Sequence, residues 1–159
     1  MRRDDRGSAS ILVIVLLPFL LTVVAGVVQL GAIRVLAGRV TSAADLAALA
    51  AVDDQDEGEL VQRGVLRLAG DAEDVARRFF ALNLAQIAAH LAITPEAAAA
   101  EAQVAAFRTV PALDPLTGWR YDRPTVRIAA SVPVRTPAFG VLFLPPTTTV
   151  TVRVASSAR

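Results

Sequence analysis

From Ile11 to Ile33 the chain runs 23 residues without a charge, and only Thr22 and Gln29 interrupt it as clearly polar side chains. As a helix this stretch rises roughly 34 Å, enough to cross a hydrocarbon core about 30 Å thick with some tilt. Pro18, Gly26 and Gly31 weaken a helix in water. They are tolerated in lipid, where neighbouring helices re-satisfy the backbone and small residues permit close approach. The run also exceeds the apolar core of about 7–15 residues in a secretory signal, so a retained span is expected. Arg2, Arg3 and Arg6 precede it, while Arg34 and Arg39 follow. The positive-inside rule, in which Asp4 and Asp5 count for little, places the N-terminus in the cytoplasm. The expectation is a single-pass protein of the cytoplasmic membrane with its C-terminal domain extracytoplasmic.

Beyond Arg34 the helical pattern continues. Leu36, Val40, Ala43 or Ala44, Ala47 and Ala51 recur at steps of three and four, a narrow apolar seam. Alanine seams suit tight helix contact, and two readings stand. Either the seam (Ala43, Ala44, Asp45, Ala47, Ala48, Ala51) packs laterally against other helices, or it lies across the sheet of its own domain.

Arg6-Gly7-Ser8-Ala9-Ser10, the apolar span, Gly31 and Arg34, and then Ala43-Ala44-Asp45-Leu46-Ala47-Ala48-Leu49-Ala50 together resemble the N-terminal signature of TadE/TadG-like proteins. These are pseudopilin-like membrane proteins of Tad (Flp) pilus assembly, related to the type IV pilus and type II secretion systems. The resemblance covers roughly the first third of the chain. It implies a helix that packs among pilin helices or anchors a secretion apparatus, on a pilin-like α+β domain. In the processed members a peptidase cuts after the glycine that matches Gly7, leaving Ser8 as the new N-terminus. Those members carry glutamate at the fifth mature position, where this chain has Leu12. An uncleaved, anchored TadG-like role accommodates Leu12 better than a filament subunit does.

The remaining hundred or so residues suffice for one small domain. Asp53 to Glu59 reads as a solvated acidic loop. An EF-hand counted from Asp54 would need glycine and glutamate where Glu59 and Val65 stand. Asp71 to Leu91 reads as an amphipathic helix capped by Asp71, with Glu73–Arg77 and Asp74–Arg78 pairs. Its apolar stripe is Phe80, Leu84, Ile87 and Leu91, flanked by Ala76 and Ala88. Thr94-Pro95 starts a second helix, whose end near Ala106 merges with a potential strand at Val104 to Val110. Asp114 to Gly118 is a turn, and Trp119 and Tyr121 are expected over the core. Val126, Ile128, Ala130, Val132 and Val134 alternate with polar or small residues, as do Val150, Val152 and Val154, predicting two strands. Pro133 implies that the first strand ends there or lies at an edge. Phe139 to Pro146 is an apolar loop, read foremost as closing the core. A membrane-surface or partner contact is the other reading.

The fold class expected is therefore α+β: a long N-terminal transmembrane helix continuing into a small exported domain, with helices packed on an antiparallel sheet. The division is a polar leader (1–10), the transmembrane helix (11–33), its continuation (34–52) and the exported domain (53–159). All 16 basic residues are arginines scattered among 15 acids, with no stripe to neutralise phosphates, so nucleic acid is not an expected partner. The chain has no cysteine and a single histidine, His90, whose neighbours at helical spacing are Asn83 and Gln86. It also lacks a nucleophile elbow and a glycine-rich phosphate loop. No catalytic, cofactor-binding or metal-binding residues are assigned, and no cofactor or small-molecule substrate is indicated. The leading expectation is a non-enzymatic assembly component meeting the membrane and other pilus or secretion proteins through its N-terminal helix. The alternative is a membrane-tethered extracytoplasmic module that binds a cell-envelope or secreted ligand.

Overall fold

Helix α1 begins at Arg6 and does not stop until Asp53, 48 residues later. At about 1.5 Å per residue it is roughly 72 Å long, far more than a small domain can cover. The computed structural model describes residues 6–65, 67–136 and 145–158. Gln29 aside, burial switches once along the described part of α1. From Val13 to Val24 every side chain is exposed, whereas from Leu36 onward a stripe of Leu36, Val40, Ala43, Ala44, Ala47, Ala48 and Ala51 is buried. That stripe packs against the domain's own α3 (Ala72–Ala85), β4 (Thr125–Arg135) and β5 (Thr147–Ser157). Small side chains let the helix lie close to the sheet, and their 3,4 spacing keeps the contact continuous over four turns.

The acidic stretch after α1 is not simply a loop. Asp56 accepts hydrogen bonds from the Gly58 and Glu59 amides (3.0 and 3.2 Å) and so starts a short helix, α2 (Glu57–Arg63). Gly64 ends it in the left-handed conformation (φ 63°), which a side chain would strain, and its N–H donates to the Leu60 carbonyl.

Helix α3 stops six residues before the expected Leu91. The amides of Gln86 and Ile87 turn to the carbonyls three residues back, and a 3₁₀ turn (Ala88–His90) follows. Leu91 leaves extended and bridges Val134, while the Ala92 amide donates to the Pro133 carbonyl at 2.9 Å. This tightened exit keeps Phe80, Leu84, Ile87 and Leu91 all buried but leaves Ala88 exposed. Asp71 occupies the N-cap position without a side-chain cap bond. Thr94 does cap α4 (Pro95–Glu101), accepting from the Ala97 amide at 3.2 Å.

The boundary left open between the alanine-rich helix and a strand falls at Ala102: α4 ends at Glu101 and strand β1 (Gln103–Phe107) begins just before Val104. The main sheet has the order β1-β4-β5 and is antiparallel throughout. Strand β4 runs straight through Pro133, because β1 pairs only with Thr125 to Ala129. Past that point the same side of β4 meets only Leu91 and Ala92, and the Ala92 amide bonds the Pro133 carbonyl, so the N–H that Pro133 lacks is not needed for the β1 ladder. Helices α1, α3 and α4 cover one face through Val126, Ile128, Ala130, Val132 and Val134. A hairpin of β2 (Ala112–Leu113) and β3 (Arg120–Tyr121) forms a separate two-stranded sheet. It ties to the other face through Arg127–Asp114 and through Tyr121 stacked at a tilt 5.0 Å from Phe107. Helices packed on an antiparallel sheet after a long apolar helix make this an α+β fold.

Candidate membrane and assembly surface

The apolar half of α1 makes few contacts with the rest of the described chain. Its mean hydropathy reaches 2.6 over eighteen residues, and that window is almost entirely exposed. The helix is thus long and apolar enough to cross a membrane. Its polar groups are handled locally. The Thr22 hydroxyl donates to the Pro18 carbonyl at 2.8 Å, so its proton is satisfied within the helix. Gln29, the other polar interruption, is only 2% exposed. Gly7 and Ser8 fall in the first turn of α1, ahead of Leu12. Met1 to Asp5 lie outside the described residues, as does most of the apolar loop expected at Phe139 to Pro146.

Of the six seam residues, Ala43, Ala44, Ala47, Ala48 and Ala51 are buried within the chain, and Asp45 is exposed. The outward face of the same helix instead carries Val35, Gly38, Ser42, Asp45, Leu46 and Leu49. A Cβ built on Gly31 or Gly38 would meet nothing within 4 Å, so both glycines leave open notches. Beside Gly38, a groove of about 490 Å³ runs between α1 and α3, with Asn83 and Gln86 on its far wall. Asn83 donates to the Ala43 carbonyl at 3.5 Å and pins that wall. A second crevice of about 490 Å³ lies nearer the apolar half, bounded by Val28, Ala32, Val35 and Leu36 below and by Arg39, His90 and Arg135 above.

The domain's charged groups mostly hold structure. Glu73 turns away from its expected partner Arg77 and binds Arg108 and the Ala106 amide, while Arg77 pairs with Asp74 at 3.3 Å. Burial alone would raise the Glu73 carboxyl, but the hydrogen bond and charge of Arg108 outweigh it and hold it below its ordinary value. Asp114 is fully buried. It accepts from the Leu116 amide (2.9 Å), the Thr117 hydroxyl (2.7 Å) and the Tyr121 hydroxyl (3.4 Å), with Arg127 Nε at 3.2 Å. Burial pushes its carboxyl up, yet those donors and Arg127 bring it below the usual range. Burial, followed by the Asp114 charge, raises the Tyr121 hydroxyl. Gly118, at φ 72°, closes this turn and donates its N–H to the Asp114 carbonyl.

His90 is exposed, and no group of His, Cys, Asp and Glu among the described residues is placed to hold a metal. Trp119 does not cover the core as expected but stands 71% exposed, because the turn at Gly118 directs it outward, while Tyr121 packs inward. The Asp114–Arg127 pair was not foreseen. Arg127 shares its side of the strand with Thr125, Ala129 and Ser131, a pattern that reads as solvent-facing, so the sequence carries no signal for its buried acid.

This geometry defines a class: an α+β domain folded onto the distal half of one helix, whose proximal half is long and apolar enough to enter a membrane. Residues 7–54 match the model of a family described as "Putative Flp pilus-assembly TadE/G-like". The match coincides with α1 and with the residues that carry the TadE/TadG resemblance, less than a third of the chain. No curated protein and no solved structure matches the chain.

Proposed function

We propose that this protein is a non-enzymatic, single-pass component of a Tad (Flp) pilus-assembly or secretion apparatus, with its N-terminus cytoplasmic and its domain outside. The observation that carries the reading is the coincidence of the family match with α1, whose first half is bare and apolar while its second half is the spine of the domain. Residues 11–33 are the span, 34–52 its continuation and 53–159 the rest of the exported unit. The alanine seam is occupied by the protein's own α3 and sheet. The outward face with Gly31, Gly38, Ser42 and Leu46 is therefore the surface left for neighbouring assembly helices. Leu12 in place of glutamate favours an anchor over a filament subunit, with Gly7–Ser8 left uncut.

Alkaline extraction of membranes tests the anchor: full-length protein is expected to stay in the pellet, and its release into the soluble fraction overturns the proposal. Exposed Trp119 beside Arg153 favours one second reading, a tethered binding module for a cell-envelope ligand. Neighbouring genes for a secretion ATPase and platform proteins support assembly; without them the binding module is favoured.

A further inference from the structure

The crevice between α1 and the domain combines two chemistries at one depth. Its lower wall, Val28, Ala32, Val35 and Leu36, continues the apolar surface of the span. Its upper rim brings together three cationic or hydrogen-bonding side chains from separate elements: Arg39 of α1, His90 of the 3₁₀ turn and Arg135 at the end of β4. No acid is among the described residues that line it, and neither Arg39 nor Arg135 has an ion-pair partner among the described residues. Two guanidinium groups on one rim, with no acid among the described lining residues, offer a complementary seat for an anion, and guanidinium matches a phosphate in geometry as well as charge.

Depth selects the source of that phosphate. The uncharged run ends at Ile33, and Arg39 lies six residues, about 9 Å, further along the helix. A headgroup layer is roughly 5–8 Å deep, so an arginine side chain reaching back toward the span meets it. Val28 and Ala32 lie on the hydrocarbon side of the same boundary. We infer that this crevice seats one anionic phospholipid of the adjoining leaflet, its phosphate held by Arg39 and Arg135 with His90 beside it and its first acyl carbons against Val28, Ala32 and Val35. The inference rests on the membrane-anchored reading of α1.

Native mass spectrometry of the full-length protein in detergent, with phosphatidylglycerol or phosphatidylcholine added, tests it. Preferential retention of one phosphatidylglycerol is expected. Each arginine near an anionic lipid contributes about fivefold in affinity, so R39Q/R135Q should weaken retention roughly 25-fold. R39K/R135K, which keeps the charge and controls for misfolding, should retain the preference, and R34Q, outside the crevice, should weaken retention by no more than a single step of about fivefold. Equal retention of the two lipids by the unmodified protein overturns the inference, as does a loss in R34Q as large as in the double glutamine variant. Displacement of the lipid by inorganic phosphate alone would make this a simple anion site and also overturns it. Flotation separates the two readings: protein that floats with phosphatidylcholine liposomes but shows no lipid preference loses the crevice and keeps the anchor. Protein that floats with no liposome loses the anchor.

Discussion

Asp114 is the residue on which the second face of the sheet depends. Its carboxylate gathers the turn that follows it and meets Arg127 on the central strand, so one buried charge fixes the hairpin to the sheet. Removing one member of a buried pair leaves the other uncompensated, at a cost of about 3–5 kcal/mol. D114A should therefore lower the thermal midpoint of the full-length protein in micelles substantially, while the apolar pair D114L/R127M should lower it much less. The same site sets the acid limb of stability. The folded carboxyl sits below its ordinary value of about 4, so in the window between the two the unfolded chain takes up a proton that the folded chain refuses. Stability from Asp114 is complete above that window and is lost as the pH falls through the folded value. Glu73, held low by Arg108, acts in the same direction. Thermal scans at decreasing pH should show the decline, and D114N should flatten it.

At the scale of elements, the alanine seam of α1 is a packing surface filled from within. Ala44 and Ala48 have no exposed surface, and a larger side chain there must push α1 off α3 or the sheet. A44L and A48L should each destabilise the fold by about 1–3 kcal/mol in denaturant titrations, whereas L46A, on the outward face, should have little effect. What was legible in the sequence at this scale was what is local. The 3,4 spacing of Leu36 to Ala51, the period of two from Val126 and from Val150, and the Thr94-Pro95 start all state their own geometry. The illegible parts depend on what arrives from elsewhere in the chain. Arg127 reads as a solvent-facing position until a hairpin closes over it. Glu73 reads as Arg77's partner until β1 brings Arg108 alongside. The end of α3 is set by Leu91 joining Val134, a contact across more than forty residues. The lipid-facing crevice was hidden for the same reason, since Arg39, His90 and Arg135 meet only in the fold.

For the whole molecule, the membrane-facing and folded parts should respond independently to some changes. V24R places a charge near the middle of the apolar half, at a cost of about 2.5–3.5 kcal/mol for insertion. It should raise the fraction of protein extracted by alkali while leaving the domain's thermal midpoint unchanged, because Val24 touches no part of the core. A fall in that midpoint would show that the two halves are energetically coupled. Geometry is another matter. Since α1 passes from one half to the other without a break, the domain's compass heading about the helix axis is set by residue count. One residue added near Arg34 would swing every outward-facing side chain of the domain by about 100° relative to the span and lift it about 1.5 Å. A neighbour that grips both the span and the domain therefore reads helical phase, and length changes at this junction act as a dial rather than a spacer.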